Sequence, residues 1–240
     1  MAIKNINYRN NDFAINYEII NPQNQKTIIF LHGWGSNKEV MKTAFGGILK
    51  DFKHIYIDMP GFGKSTNEYV LTTKDYADIL NDFFVSLGIK NEDLTIAGHS
   101  FGGKIATLLN PTNLILLSTA GILEQKSPKV KAKIKLAKIA NKVGFSFFSK
   151  LFRSKDVDKM TENMYSTFKN VVDEDFSEEF KKYSGNAMIF WGRNDTATSL
   201  QSGKIIHQLI KNSKFYDFEG DHYFFLKHSK EIEAIIVNQN

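Results

Sequence analysis

A chain of 240 residues with 42% hydrophobic and 24% charged side chains has the make-up of one soluble globular domain with a sizeable core. It contains no cysteine, which excludes disulfides, thiol catalysis and cysteine metal sites and agrees with a cytoplasmic setting. The formal net charge is +5, yet 28 of the 31 basic residues are lysines scattered along the chain. A nucleic-acid surface normally gathers arginine and aromatics on one face, so no nucleic-acid partner is expected.

The opening MAIKNINYRNNDF lacks the apolar core of a secretion signal, and no apolar run is long enough to span a bilayer. Two alternating stretches, AIKNINYR and DFAINYEII, flank Asn10-Asn11 and predict a hairpin turned there. TIIFLHG (27–33) is a continuous apolar run ending in glycine, the mark of a strand buried on both faces. A helix near 37–50 and a second buried strand, HIYIDMPG (54–61), follow. Helix 72–88 carries Tyr76, Ile79, Leu80, Phe83, Phe84 and Leu87 at helical spacing. LTIAGH (94–99) predicts the third buried strand, with a helix from Ser100; NLILLST (113–119) and AMIFWG (187–192) predict the fourth and fifth. A helix near 199–212, the strand KFYDFEG and a last helix from about 224 complete the pattern.

Apolar runs alternating with helices predict a mostly parallel sheet covered on both faces. Residues 122–185 break the rhythm: they hold no clear strand, several helical stretches and many charges. The expectation is one domain, 1–240, with 122–185 as a helical cap over the C-terminal edge of the sheet, where sites in such folds lie.

The residues that follow the strands meet at that edge. HGWG (32–35) follows the first buried strand, DMPGFGKS (58–65) the second, and Ser100, in the spacing G-x-S-x-G from Gly98 to Gly102, the third. Asp195 follows the fifth, in WGRNDTAT, and His222 follows the last strand, in GDHYFF. A serine hydroxyl is a poor nucleophile until an imidazole takes its proton, and the imidazole needs a carboxylate to fix its tautomer. Glycines beside the serine let the chain turn sharply from strand to helix. The stretch LLSTAG after the fourth strand carries no carboxylate.

With HGWG, DMPGFGKS, GHSFGG, WGRND and GDH in this order, the chain resembles the α/β-hydrolase superfamily over nearly its whole length. The resemblance implies the α/β-hydrolase fold, with Ser100 as nucleophile, His222 as general base and acid, and Asp195 as the partner that orients it. It also implies an oxyanion hole from the backbone N–H groups of Trp34 and Phe101, with Gly33, Gly98 and Gly102 supporting the turns. His32 precedes the oxyanion turn and is read as support for that loop. His99 is expected to point away from Ser100, and His207 to serve structure. The spacing H-E-x-x-H is missing, and PGFGKS lacks a complete phosphate loop, so neither a metal nor a cofactor is expected.

The activity implied is hydrolysis of a carboxylic ester or thioester through an acyl-enzyme on Ser100. Two alternatives share the fold: carbon–carbon bond hydrolysis of dienoate ring-fission products, and non-catalytic ligand binding. Of Phe145, Phe147, Phe148, Leu151, Phe152, Met160, Met164, Tyr165 and Phe168 in the cap, most are expected to pack within the cap and onto the body and some to roof the site, which points to an apolar acyl or alkyl group in the small-molecule substrate. In KVKAKIKLAKIANK (129–142), Lys131, Lys135, Lys138 and Lys142 share one helical stripe. The stripe is read either as a solvated face or as a dock for an acidic carrier protein. HGWG with DMPGFGKS also resembles the pimeloyl-acyl-carrier-protein methyl ester esterases, whose caps receive that partner.

Overall fold

A computed structural model describes residues 1–90, 94–123 and 160–238. Eight strands run β1 (Ala2–Tyr8), β2 (Asn11–Ile20), β3 (Thr27–Leu31), β4 (Lys53–Ile57), β5 (Thr95–His99), β6 (Asn113–Leu117), β7 (Asn186–Gly192) and β8 (Ser213–Phe218). They form one sheet in the order β1-β2-β4-β3-β5-β6-β7-β8, parallel from β4 to β8, with β1 and β2 antiparallel at one edge. The hairpin turns one residue earlier than its sequence predicts. Tyr8 pairs with Asn11, and Arg9 and Asn10 both have positive φ, 51° and 64°. That two-residue turn twists in the same sense as its strands, which favours it over a turn at Asn10-Asn11.

The helices are α1 (Lys38–Phe45), α2 (Thr73–Ser86), α3 (Phe101–Leu109), α4 (Glu162–Val171), α5 (Ser177–Lys182), α6 (Leu200–Leu209) and α7 (Ser229–Val237). α1 is shorter than its apolar pattern implies and gives way at Gly46-Gly47. The helix expected from 224 begins as a 3₁₀ turn, Phe224–Leu226, before α7.

Strand alternation divides the core in two. Ile29, Leu31, Ile55, Ile57, Ile96, Leu114, Leu116 and Ile189 face α2, α3 and α6. Ile28, Phe30, Tyr56, Ala97, Ile115, Leu117 and Phe190 face α1 and α7. Both faces of β3 to β7 are covered, which is why those strands read as unbroken apolar runs.

Of the segment 122–185, residues 124–159 lie outside the described residues. With them lie Phe145, Phe147, Phe148, Leu151, Phe152 and the four lysines Lys131, Lys135, Lys138 and Lys142. The described part holds α4 and α5. α4 is tied to the loop after β4: Asn163 donates to Asn67 O at 2.8 Å, and the Leu71 N–H donates to Thr167 Oγ1 at 3.0 Å. Lys104 of α3, itself buried, donates to Val171 O at the end of α4 and pairs with Glu174 at 2.7 Å. Among the described residues, no helix is long and apolar enough to cross a membrane.

The loops after β3 and β4 share one buried ion pair. Lys38 Nζ lies 2.7 Å from Asp58 Oδ2, both side chains almost fully buried. The same carboxylate accepts the backbone N–H of Lys38 at 2.8 Å and of Lys64 at 3.0 Å. Three hydrogen bonds from two loops thus converge on the Asp58 carboxylate. Removing one partner of such a pair strands a buried charge, which typically costs about 3–5 kcal/mol. Lys38→Met should lower the stability by about that much in urea unfolding, and adding Asp58→Asn should recover part of the loss because the stranded charge is gone.

Candidate active site

β5 ends at His99, and the chain turns at once into α3. Ser100 sits at that corner with φ 50° and ψ −114°, a region that costs a non-glycine residue about 1–3 kcal/mol. Its neighbours enforce it. The Ser100 N–H donates to Leu117 O at 3.1 Å, and its carbonyl accepts from Gly103 N at 3.1 Å and Ala120 N at 3.2 Å. The corner closes only because Gly98 and Gly102 lack side chains. A Cβ on Gly98 would lie 2.5 Å from Gly102 O, and one on Gly102 2.5 Å from Leu31 O. Strand and helix therefore touch backbone to backbone beneath the serine.

The loop after β3 meets this corner. A Cβ on Gly33 would sit 3.2 Å from Ser100 Cβ. His32 holds the loop, fully buried: its Nδ1 lies 2.8 Å from Gly33 O and its Nε2 accepts the Met59 N–H at 3.1 Å. A carbonyl can only accept, so the proton is on Nδ1 and the ring is neutral. Burial, the largest cause, pushes its pKa to about 4. The Trp34 N–H has no backbone partner among the described residues. The Phe101 N–H is the first of α3, where no intrahelical acceptor exists.

Asp195 and His222 come together from the loops after β7 and β8. His222 Nδ1 lies 2.7 Å from Asp195 Oδ2. Asp195 also accepts from the backbone of Ala197 at 2.8 Å and Thr198 at 3.0 Å, and from Thr198 Oγ1 at 3.0 Å. Burial alone would raise its pKa, but the His222 hydrogen bond, the Thr198 N–H and the His222 charge outweigh it and hold the carboxyl at about 2. The two loops are bonded to each other: Arg193 N–H donates to Phe218 O and Asn194 N–H to Gly220 O, at 2.8 and 2.9 Å. Asp221 takes a turn role, accepting the Tyr223 N–H at 2.9 Å. His207 is bonded to Ser213 Oγ at 2.8 Å, away from this cluster.

Thr198 escaped the sequence reading although the signal was present. An aspartate that closes a turn just before a helix commonly accepts N–H groups two and three residues on, and here it also binds the hydroxyl there. A cleft of about 600 Å³ is lined by Trp34, Gly35, Gly61, Phe62, Met160, Thr161, Met164 and Tyr223. The Trp34 ring packs on Phe101 at 5.4 Å and on Phe168 of α4 at 5.3 Å. No group of three or more metal-ligating side chains gathers among the described residues.

The element order agrees with comparison to known proteins. A family model described as the alpha/beta hydrolase fold matches residues 26–113. The solved esterase of Exiguobacterium antarcticum superposes with a TM-score of 0.75 over 98% of both chains, at 22% identity. The chain has the α/β-hydrolase fold. It is 35% identical over 98 residues to the pimeloyl-[acyl-carrier protein] methyl ester esterase of Pseudoalteromonas atlantica, covering 38% of this chain and 36% of that one. The chain thus spans about a third of the length of the first curated relatives it matches. A longer likeness, 22% identity over 238 residues, covers 83% of this α/β-hydrolase-fold chain and 84% of an uncharacterized hydrolase, YugF, of Bacillus subtilis.

Three buried histidines give the molecule an acid sensitivity. Burial lowers the pKa of His32 to about 4 and of His99 to about 3, and it lowers that of His54 as well. Each takes up a proton on unfolding once the pH falls below the ordinary imidazole value of about 6.5. Stability is therefore full above that pH and declines below it, by about 1.4 kcal/mol per pH unit for each of His32 and His99, with His54 acting in the same direction. Urea unfolding at pH 7.5 and 5.5 should differ by about 3 kcal/mol, the acid sample being less stable.

Proposed function

We propose that the protein is a cofactor-free serine hydrolase that cleaves a carboxylic ester or thioester through an acyl-enzyme on Ser100. The observation that carries this reading is the 2.7 Å His222–Asp195 hydrogen bond at the sheet edge that also bears the strained Ser100 corner. In this reading Asp195 fixes the His222 tautomer, leaving Nε2 as the base. Ser100 Oγ attacks the substrate carbonyl as His222 takes its proton. The tetrahedral oxyanion is held by the N–H groups of Trp34 and Phe101, each worth about 3 kcal/mol of barrier by analogy with similar sites. His222 then protonates the leaving alcohol or thiol, and the acyl group stays on Ser100. A water enters, gives its proton to His222 and attacks the acyl-enzyme. The acid departs, and the proton returns to Ser100.

The Trp34–Phe62–Met160–Met164 lining supports an apolar acyl or alkyl group, and about 600 Å³ is ample for one of medium length. The helical segment 122–185 acts as the cap, with α4 as its part beside the cleft. The chemistry of the named relative, a methyl ester on an acyl carrier protein, supports a carrier-bound ester as one substrate class. Lys131, Lys135, Lys138 and Lys142 are the proposed dock for such an acidic carrier.

A fluorophosphonate should label Ser100 covalently, and Ser100→Ala should abolish labelling and lower turnover of short p-nitrophenyl esters roughly a thousandfold or more. Wild-type rates in that variant, with no adduct on the folded protein, would sink the reading. Reversing the four lysines to glutamate should cut turnover of an acyl-carrier-protein ester about tenfold while p-nitrophenyl ester turnover stays within about twofold. Equal carrier-ester rates before and after reversal would exclude the dock.

A further inference from the structure

The order β5-β6-β7-β8 puts two strands between the one that ends beside Ser100 and the one that precedes His222. Ladder hydrogen bonds join only neighbouring strands, so none spans that distance. Nor, among the described residues, does a hydrogen bond join Ser100 Oγ to His222, whose Nδ1 is turned to Asp195. The Asp195 loop reaches the serine less directly: Thr198 Oγ1 donates to Ser118 O at 3.1 Å, next to Leu117, whose carbonyl accepts the Ser100 N–H.

His99 spans the distance. Its side chain is buried, at 1% exposure, and its Nε2 lies 3.0 Å from the carbonyl oxygen of His222. Its ring packs 4.5 Å from the His222 ring, centroid to centroid, with Tyr223 at 5.0 Å and Phe225 at 4.9 Å completing the aromatic group. A carbonyl only accepts, so Nε2 carries the proton and Nδ1 is bare. Nδ1 is buried without a hydrogen-bond partner among the described residues. A second proton there would be a buried, unanswered charge, and burial accordingly keeps the ring neutral.

We propose that His99 is a positioning residue, donating Nε2–H to the His222 carbonyl and packing against its ring to set the base against the serine that follows His99 in the chain. One peptide bond joins His99 to Ser100 and one hydrogen bond joins it to His222, the shortest connection between the two. The inference rests on the reading of Ser100 and His222 as nucleophile and base.

His99→Phe keeps an aromatic ring and deletes the donor, whereas His99→Gln restores a donor near the same place. On a p-nitrophenyl ester, the Phe variant should lose about tenfold in kcat with KM within about twofold, as expected for a misplaced catalytic group. The downfield proton resonance of the His222–Asp195 hydrogen bond should broaden or move upfield in that variant. The Gln variant should recover kcat to within about threefold of wild type and restore the resonance. The proposal is overturned if the Phe variant keeps both kcat and the resonance, or if a folded Gln variant falls as far as the Phe variant. If circular dichroism shows the Phe variant unfolded, the Gln variant alone decides on the same threefold and tenfold limits. Ser100→Ala assayed alongside separates the two readings: wild-type turnover in that variant removes the serine mechanism. The resonance would still report whether His99 orients His222.

Discussion

The backbone of Ser100 is held where an L-residue does not rest by choice, and everything around the site follows from what holds it. Leu117 O, Gly103 N–H and Ala120 N–H bind its peptide groups, so β6 and α3 grip the corner from both sides. The grip needs β3, β5 and α3 to meet backbone to backbone, which Gly98 and Gly102 permit. A strained residue persists only when its surroundings over-determine it, and a buried parallel sheet supplies that constraint. The strained Ser100 backbone is fully bonded, its N–H to Leu117 O and its carbonyl to Gly103 and Ala120 N–H.

Around that fixed point the loops are tied to one another more than to the serine. Asp58 collects the Lys38 ammonium and two backbone N–H groups, joining the loops after β3 and β4, and His32 adds a second bridge through Met59 N. On the other side, Asp195 and Thr198 organise the loop after β7 and bind the loop after β8 through His222. These bridges are buried charges or neutral imidazoles, whose unmade bonds are costly. The two sides meet around the Ser100 corner, where Thr198 Oγ1 donates to Ser118 O and His99 to the His222 carbonyl.

Much of this was legible in the sequence. The buried strands announced themselves as apolar runs because both sheet faces are covered, and Ser100, Asp195 and His222 stood out because each directly follows a strand or its turn. Less visible were features that depend on partners far along the chain. Nothing near Lys38 says that its ammonium will be buried, because its partner Asp58 is twenty residues away across a strand. His99 was expected to turn away from Ser100, and its ring packs against those of His222, Tyr223 and Phe225. Its bond to the His222 carbonyl, 123 residues off, has no local signature.

Element ends show the same division. The hairpin turn moved by one residue because strand twist favours positive φ at Arg9 and Asn10, a choice the alternating pattern does not encode. By itself, the sequence determined the fold class, the order of the chemical residues and the absence of thiol chemistry, because periodicity and residue type are local properties. Only the tertiary structure decided which side chains share a hydrogen bond, which ring nitrogens carry protons and which charges lose their water. Those depend on burial, and burial is a property of the packed chain.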